Sequence, residues 1–189
     1  MISIFGIQSF QMTSAVPKIA IIGDSLLKGI PAEGKRYQTV CYRGLTIERL
    51  QDKIIRGILD QNLDSCTVVV IAVGTNNLAT LSTDQLISGL LNLVSLIKSR
   101  VRGKTVKLCG LLPRLDKDKE HPNVNLNKAC RSANKALKRA CAQNQIEHIK
   151  TYKAFIKNKQ IRTHLFVNDG LHLSKSGSLA LQRSILSKV

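Results

Sequence analysis

Four short clusters in the chain carry residues that could perform acyl transfer: Gly23-Asp24-Ser25-Leu26, Gly44, Gly74-Thr75-Asn76 and Asp169-Gly170-Leu171-His172. A serine hydroxyl attacks an ester only beside a general base. It also needs a group that orients that base and donors for the developing oxyanion. Ser25 is the candidate nucleophile, and the remaining clusters hold residue types that could supply the other parts. Each cluster alone has a plainer explanation, because Gly, Asp, Asn and Ser are turn formers and a turn can carry an exposed imidazole. Their conjunction in one chain points to chemistry.

The elements around these clusters put them in comparable places. Ile19 to Ile22 is a continuous apolar run, as in a strand buried on both faces, and Gly23-Asp24 breaks it just before Ser25. A strand, a tight turn and a helix start would set the Ser25 hydroxyl at a sheet's carboxyl edge, over a helix N-terminus. Arg36 to Arg43 reads as a second strand ending at Gly44. Thr46 can cap a helix whose apolar positions are Ile47, Leu50, Ile54 and Ile58. Thr67 to Val73 is the clearest buried strand, and Gly74-Thr75-Asn76-Asn77 follows it. Ser82-Thr83-Asp84 opens a helix with Leu86, Ile87, Leu90, Leu91, Val94 and Ile97 inward, closed by Gly103. Thr105 to Leu112 is a fourth strand stopped by Pro113, and Leu115 to Asn123 is a charged surface loop. A basic helix spans about Val124 to Asn144, and a fifth strand Ile146 to Thr151. Tyr152 to Val167 suggests a short helix and then extended chain, before a closing helix from Ser174 to Lys188. Strands alternating with helices imply an α/β fold with a parallel sheet covered on both faces, where ligands bind at the carboxyl ends of strands.

The 189 residues suit a single domain, expected over residues 17–189 after a flexible leader at 1–16. That leader lacks a basic start and carries Gln8, Gln11 and Thr13, so it does not read as a signal peptide. No apolar run approaches the roughly 18 residues that span a bilayer. Five cysteines, an odd number without C-x-x-C spacing, argue against a disulfide framework or metal ligation. No cofactor is expected, and the setting is expected to be intracellular, in the cytoplasm. Charge is the other strong signal. The chain carries 29 Lys+Arg against 12 Asp+Glu, a net +17. Up to Ile97 there are 8 basic and 7 acidic residues, and beyond it 21 and 5, so the halves carry +1 and +16. Such asymmetry implies a polyanionic partner, RNA or an anionic membrane surface, unless it is only a solvated basic face.

In this order and on these elements, the four clusters resemble the SGNH (GDSL-type) hydrolase superfamily, whose blocks are named for Ser, Gly, Asn and His. The resemblance runs from Lys18 to the final helix. It implies a three-layer α/β/α sandwich, flavodoxin-like, with five mostly parallel strands. It implies a serine esterase or lipase acting on carboxylic esters, acyl or acetyl, through an acyl-enzyme. Ser25 would be nucleophile, His172 general base and Asp169 its orienter. The Ser25 and Gly44 backbone N–H groups and the Asn76 amide would form the oxyanion hole. A glycine at 44 suits that role because no Cβ blocks the approach of its N–H. Where the superfamily's third block usually reads G-x-N-D, this chain has Asn77, a change expected to weaken a supporting interaction more than the chemistry. His121, His148 and His164 lack an acidic residue three positions before them and read as structural or surface.

The compact block set, the cysteine in the second strand and the stretch YRGLTIERL are similar to esterase domains of LINE-type (non-LTR) retrotransposon open reading frame proteins. That similarity implies RNA binding and lipid acyl esters as substrates. The competing class is a catalytically silent module of the same fold that binds RNA or membrane. With only 4% aromatic residues and no Trp, any nucleic-acid contact is expected to be electrostatic rather than stacked.

Overall fold

A computed structural model describes residues 18–116 and 124–189; the leader at 1–16 and His121 lie outside the described residues. The described residues open with β1 (Ile19–Gly23), buried at every position, and a single 3-10 turn at Ser25–Leu27. Then come β2 (Glu33–Gly34), β3 (Tyr37–Cys41), α1 (Ile47–Ile55), α2 (Asp60–Asp64) and β4 (Val68–Ala72). Next in order are α3 (Thr83–Arg100), β5 (Thr105–Cys109), α4 (Leu126–Gln143), β6 (Glu147–Ile149) and α5 (Thr151–Ala154). A hairpin of β7 (Ile156–Lys157) and β8 (Gln160–Ile161) precedes the closing helix α6 (Lys175–Leu186).

The main sheet has the order β2-β3-β1-β4-β5-β6. Its five parallel strands, from β3 to β6, follow the doubly wound order in which the first long strand sits inside the second. Among the described residues the sheet has six strands rather than five because Glu33–Gly34 pairs antiparallel with β3 at the edge. Two residues, one charged and one glycine, carry no apolar alternation by which a strand could be anticipated.

Alternation along the central strands divides the core. Ala20, Ile22, Val69, Ile71, Val106 and Leu108 pack against α1, α3 and α4. Ile19, Ile21 and Val70 face the opposite way, onto α6 and a pair of phenylalanines, Phe155 and Phe166, whose rings lie 5.6 Å apart. Three layers result. Cys66, Cys109, Cys130 and Cys141 are buried as small apolar side chains, Cys41 is exposed, and all five are free thiols.

Several boundaries depart from the sequence pattern. α1 stops at Ile55 because the chain turns at Gly57 in the left-handed region, φ 72°. Ile58 consequently leaves the helical stripe and is 45% exposed. Ser25 itself opens a helical segment of only three residues, so the expected helix N-terminus is one turn of 3-10 helix with little dipole. The sheet's last strand ends at Ile149, and Thr151 opens α5 instead of closing the strand. Between Tyr152 and Val167 the chain forms the β7–β8 hairpin rather than plain extended chain. Its two linking residues, Asn158 and Lys159, both have positive φ, as a tight two-residue hairpin requires.

Candidate active site

All four clusters lie beyond the carboxyl ends of the strands that lead into them or pack beside them. β1 runs straight into Asp24-Ser25, and Gly23 is needed because a Cβ there would come within 2.2 Å of the Ala72 carbonyl oxygen. Asp24 caps the 3-10 turn, its Oδ1 accepting from Leu26 N–H at 3.0 Å. Ser25 and His172 border one cleft of about 910 Å³. Leu26, Ile30 and Leu173 give that cleft apolar walls, and Lys28 and Arg43 give it cations.

The Asp169–His172 turn is fully wired. His172 Nδ1 and Asp169 Oδ2 are 2.7 Å apart, while Asp169 Oδ1 accepts from the backbone N–H groups of Leu171 and His172 at 2.9 and 2.8 Å. Those bonds, the imidazole first, hold the Asp169 carboxyl down to about 2. The carboxylate therefore fixes the ring with Nδ1 as the donor. Nε2, which makes no bond among the described residues, is left to serve the cleft. Asp169 and His172 are 48% and 45% exposed, so this pair is a surface turn rather than a buried one.

Gly44 and Asn76 do not line the cleft as such, yet the fold brings them to each other. Asn76 Nδ2 donates to the Leu45 carbonyl at 2.9 Å, which keeps one amide proton free beside Gly44. Gly44 itself has φ 62°, and a Cβ there would meet nothing nearer than 3.6 Å, so backbone conformation, not space, selects glycine. Arg49 Nη1 holds its carbonyl at 3.1 Å. Among the described residues the N–H groups of Ser25 and Gly44 donate to no acceptor, which leaves three donors uncommitted at this sheet edge.

Asn77, where a weaker supporting interaction is expected from the sequence, makes two bonds of its own. Its Oδ1 accepts from Ile47 N–H at 3.1 Å, satisfying the start of α1, and its Nδ2 donates to Glu48 Oε2 at 2.9 Å. An aspartate could accept the first bond but could not donate the second. Burial pushes the Glu48 carboxyl up, but its own N–H, the Asn77 amide and the Thr46 hydroxyl outweigh burial and hold it below the usual range.

Sequence reasoning missed Arg114 and Asp116. Arg114 is 8% exposed; its Nε donates to Asp116 Oδ1 at 2.5 Å, and its Nη2 forms a second bond to Oδ2. Its Nη1 donates to the Thr75 carbonyl at 3.1 Å, and the next residue, Leu115, donates its N–H to Gly170 O at 2.9 Å. One segment thus braces both the Asn76 loop and the His172 turn. The start of the expected surface loop is therefore part of the site's frame. The available signal was an arginine placed directly after a buried strand and a proline, with an aspartate two residues on. His164 is exposed, with its carbonyl accepting from Ser174 Oγ, as a surface residue should be.

A sequence-family model described as the GDSL-like Lipase/Acylhydrolase family matches residues 21–180. The chain belongs to this family. Solved structures share its fold at low identity. A GDSL-like lipase from Bacteroides thetaiotaomicron has a TM-score of 0.72 at 16% identity, over 92% of this chain and 89% of that one. A lipase/acylhydrolase from Enterococcus faecalis gives 0.68 at 19%, over 90% and 94%. A mutant of an acetyl-xylooligosaccharide esterase from Geobacillus gives 0.69 at 17%, over 91% and 93%. No curated protein sequence matches the chain. Family membership implies a hydrolase acting on ester bonds. No described helix is long and apolar enough to cross a membrane.

Proposed function

We propose that this chain is a serine carboxylic ester hydrolase in which Ser25, His172 and Asp169 act as a triad. The observation that carries the reading is the wired Asp169–His172 turn, with Nδ1 engaged and Nε2 unbonded on the cleft that Ser25 also borders. In the cycle, His172 Nε2 takes the Ser25 hydroxyl proton as Oγ attacks the ester carbonyl. The tetrahedral oxyanion is met by the N–H groups of Ser25 and Gly44 and by the Asn76 amide. The alkoxide then leaves with the proton from His172, giving an acyl-serine. Water, deprotonated by the same imidazole, hydrolyses this intermediate and restores the enzyme. The leucine and isoleucine walls suit an acyl or lipid substrate, and Lys28 and Arg43 tolerate an anionic one.

The proposal extends to the basic half of the chain as the contact for a polyanion, RNA or anionic lipid, in keeping with a retrotransposon-type esterase. A silent binding module is the second reading, favoured only by that charge. Hydrolysis of a p-nitrophenyl acyl ester by wild type and Ser25→Ala separates the two. The variant is expected to lose at least about 10³-fold in kcat, since removing a triad member leaves only the rate that binding and the oxyanion hole provide. Equal rates would remove the enzyme reading.

A further inference from the structure

A second recess lies on the same sheet edge, at the carboxyl ends of β5 and β6 and under α4. With strands about 4.8 Å apart, β6 is three strands, about 15 Å, from the Ser25 strand. We propose that this recess binds the backbone phosphates of a single nucleic-acid strand. The inference rests on the polyanion part of the function proposed above and gives it a location and a ligand.

The recess holds about 170 Å³, room for a phosphate but not for a nucleotide base with its sugar. Lys135 and Lys138 from α4 border it on one side, Lys150 and Lys153 from β6's end and α5 on the other, with His148 and Tyr152 between. Its floor is Gly110, where a Cβ would come within 3.3 Å of His148 Nε2 and 2.9 Å of Asn134 Oδ1. Asn134 is spent on the frame, bonding both the N–H and the carbonyl of Leu111 at 2.9 Å. Among the described residues no carboxylate lines the recess. The nearest in sequence, Glu147, points to the other face of β6 and pairs with Lys107 at 2.8 Å.

Two features then lack an internal explanation. Four lysines border one recess without an acidic neighbour among the described residues, although like charges side by side cost stability. Both ring nitrogens of His148 are buried without a partner, against the rule that buried polar groups are bonded. A phosphate would offset the lysine charges and accept from one of the two ring nitrogens once the imidazole is protonated. In the free protein, burial first, then Lys150 and Lys138, hold His148 below its usual range and therefore neutral. Outside the recess, Lys128 and Arg131 continue the α4 stripe at helical spacing. From Lys128 to Lys138 the stripe is about 15 Å long, so neighbouring phosphates of one strand also find cations.

The surroundings favour a nucleic acid over a membrane. The large exposed apolar residues among the described ones are Ile55, Ile58, Leu115, Val167 and Leu179, and none belongs to α4, β6 or α5. A lipid-docking face would interleave such residues with its lysines. A concave site also admits a flexible strand more readily than a flat bilayer.

The test uses the full chain, a fluorescein-labelled 20-nucleotide RNA of mixed sequence, and anisotropy between 50 and 200 mM salt. One variant carries Lys→Gln at 135, 138, 150 and 153, and a control carries Lys→Gln at 35, 98, 157 and 159. Both lower the net charge from +17 to +13. The recess variant is expected to bind at least about tenfold more weakly than the control. Its log K against log salt should be flatter by about 0.7 for each phosphate that the recess neutralises. Equal weakening of the two would overturn the recess while leaving a diffuse polyanion surface. Failure of wild type to bind RNA, with or without binding to phosphatidylcholine/phosphatidylserine vesicles, would overturn the nucleic-acid ligand. Failure to bind either would remove the polyanion reading itself. A second measurement follows His148. Wild type should bind more tightly as pH falls from 7.5 to 6, and His148→Gln should lose that gain; a variant that keeps it sinks the imidazole contact.

Discussion

Asp24 is buried beneath the Ser25 turn, and only one of its two carboxylate oxygens has a partner. Burial raises its carboxyl from 3.8 to about 6, and the Leu26 N–H and the charges of Arg114 and His172 recover only part of that cost. The folded chain therefore holds this proton more tightly than the unfolded one between pH 3.8 and about 6. Across that window the Asp24 contribution to stability falls as pH rises, and above it the penalty is constant. At 1.36 kcal/mol per pH unit the penalty is about 3 kcal/mol. Asp24→Asn keeps the oxygen that caps the turn, so it should raise the unfolding free energy at pH 8 by about 1–3 kcal/mol. The gain should vanish below about pH 4. Urea unfolding at the two pH values measures it, and equal stability at pH 8 would mean that the carboxylate is better compensated than its bonds show. Asn76 stands in the opposite position, with one amide proton bonded to the Leu45 carbonyl and the other uncommitted for the proposed oxyanion hole. Asn76→Ala should cost roughly 10²–10³ in kcat with KM little changed, because the bond forms only as charge develops. A normal turnover number would remove Asn76 from the oxyanion hole.

Among the elements, α1 and the Asn76 loop are held together by Asn77, which serves the helix N-terminus with its oxygen and Glu48 with its amide. Asn77→Asp would set two carboxylates within hydrogen-bond distance in a half-buried place. It should destabilise by about 1–3 kcal/mol near pH 7, and Glu48→Gln in the same chain should restore most of the loss. A thermal-unfolding double-mutant cycle reads the coupling, and additive effects would mean that the pair is independent. This bond also marks the limit of what the chain discloses before folding. β1 and β4 are legible because each is a continuous apolar run, and α3 because Ser82 and Gln85 form a complete capping box. The partner of Asn77 is 29 positions away, and the Arg114 fork reaches 39 residues back to Thr75, so no local pattern announces either. Ser25, Gly44, Asn76, Asp169 and His172 stand out in the sequence as candidates for a different reason. Each sits in a turn or strand end whose residue types are constrained by conformation as well as by chemistry.

At the scale of the whole molecule, a near-neutral amino-terminal half supplies Ser25, Gly44 and Asn76, while the strongly cationic half supplies His172 and its bracing segment. The same chain must therefore keep a fold intact against the repulsion of +17 charges. Its described ion pairs cannot offset this. Arg56–Asp52 is exposed and worth little, and Lys107–Glu147 and Arg114–Asp116 engage only two of the 21 cations beyond Ile97. Repulsion between exposed cations is long-ranged at low ionic strength, where the Debye length is about 30 Å at 0.01 M, and short-ranged at 0.15 M, where it is about 8 Å. The buried contacts that define the three layers are not screened. Salt should therefore remove the destabilising charge effect and leave the core untouched, the reverse of its effect on a fold held by surface ion pairs. The expected result is a Tm several degrees higher at 150 mM than at 10 mM NaCl. The rise should shrink in the control variant with Lys→Gln at 35, 98, 157 and 159, which carries four fewer charges. A Tm that falls or stays level with added salt would mean that attractions between the halves, not repulsion within the basic one, dominate the field of the molecule.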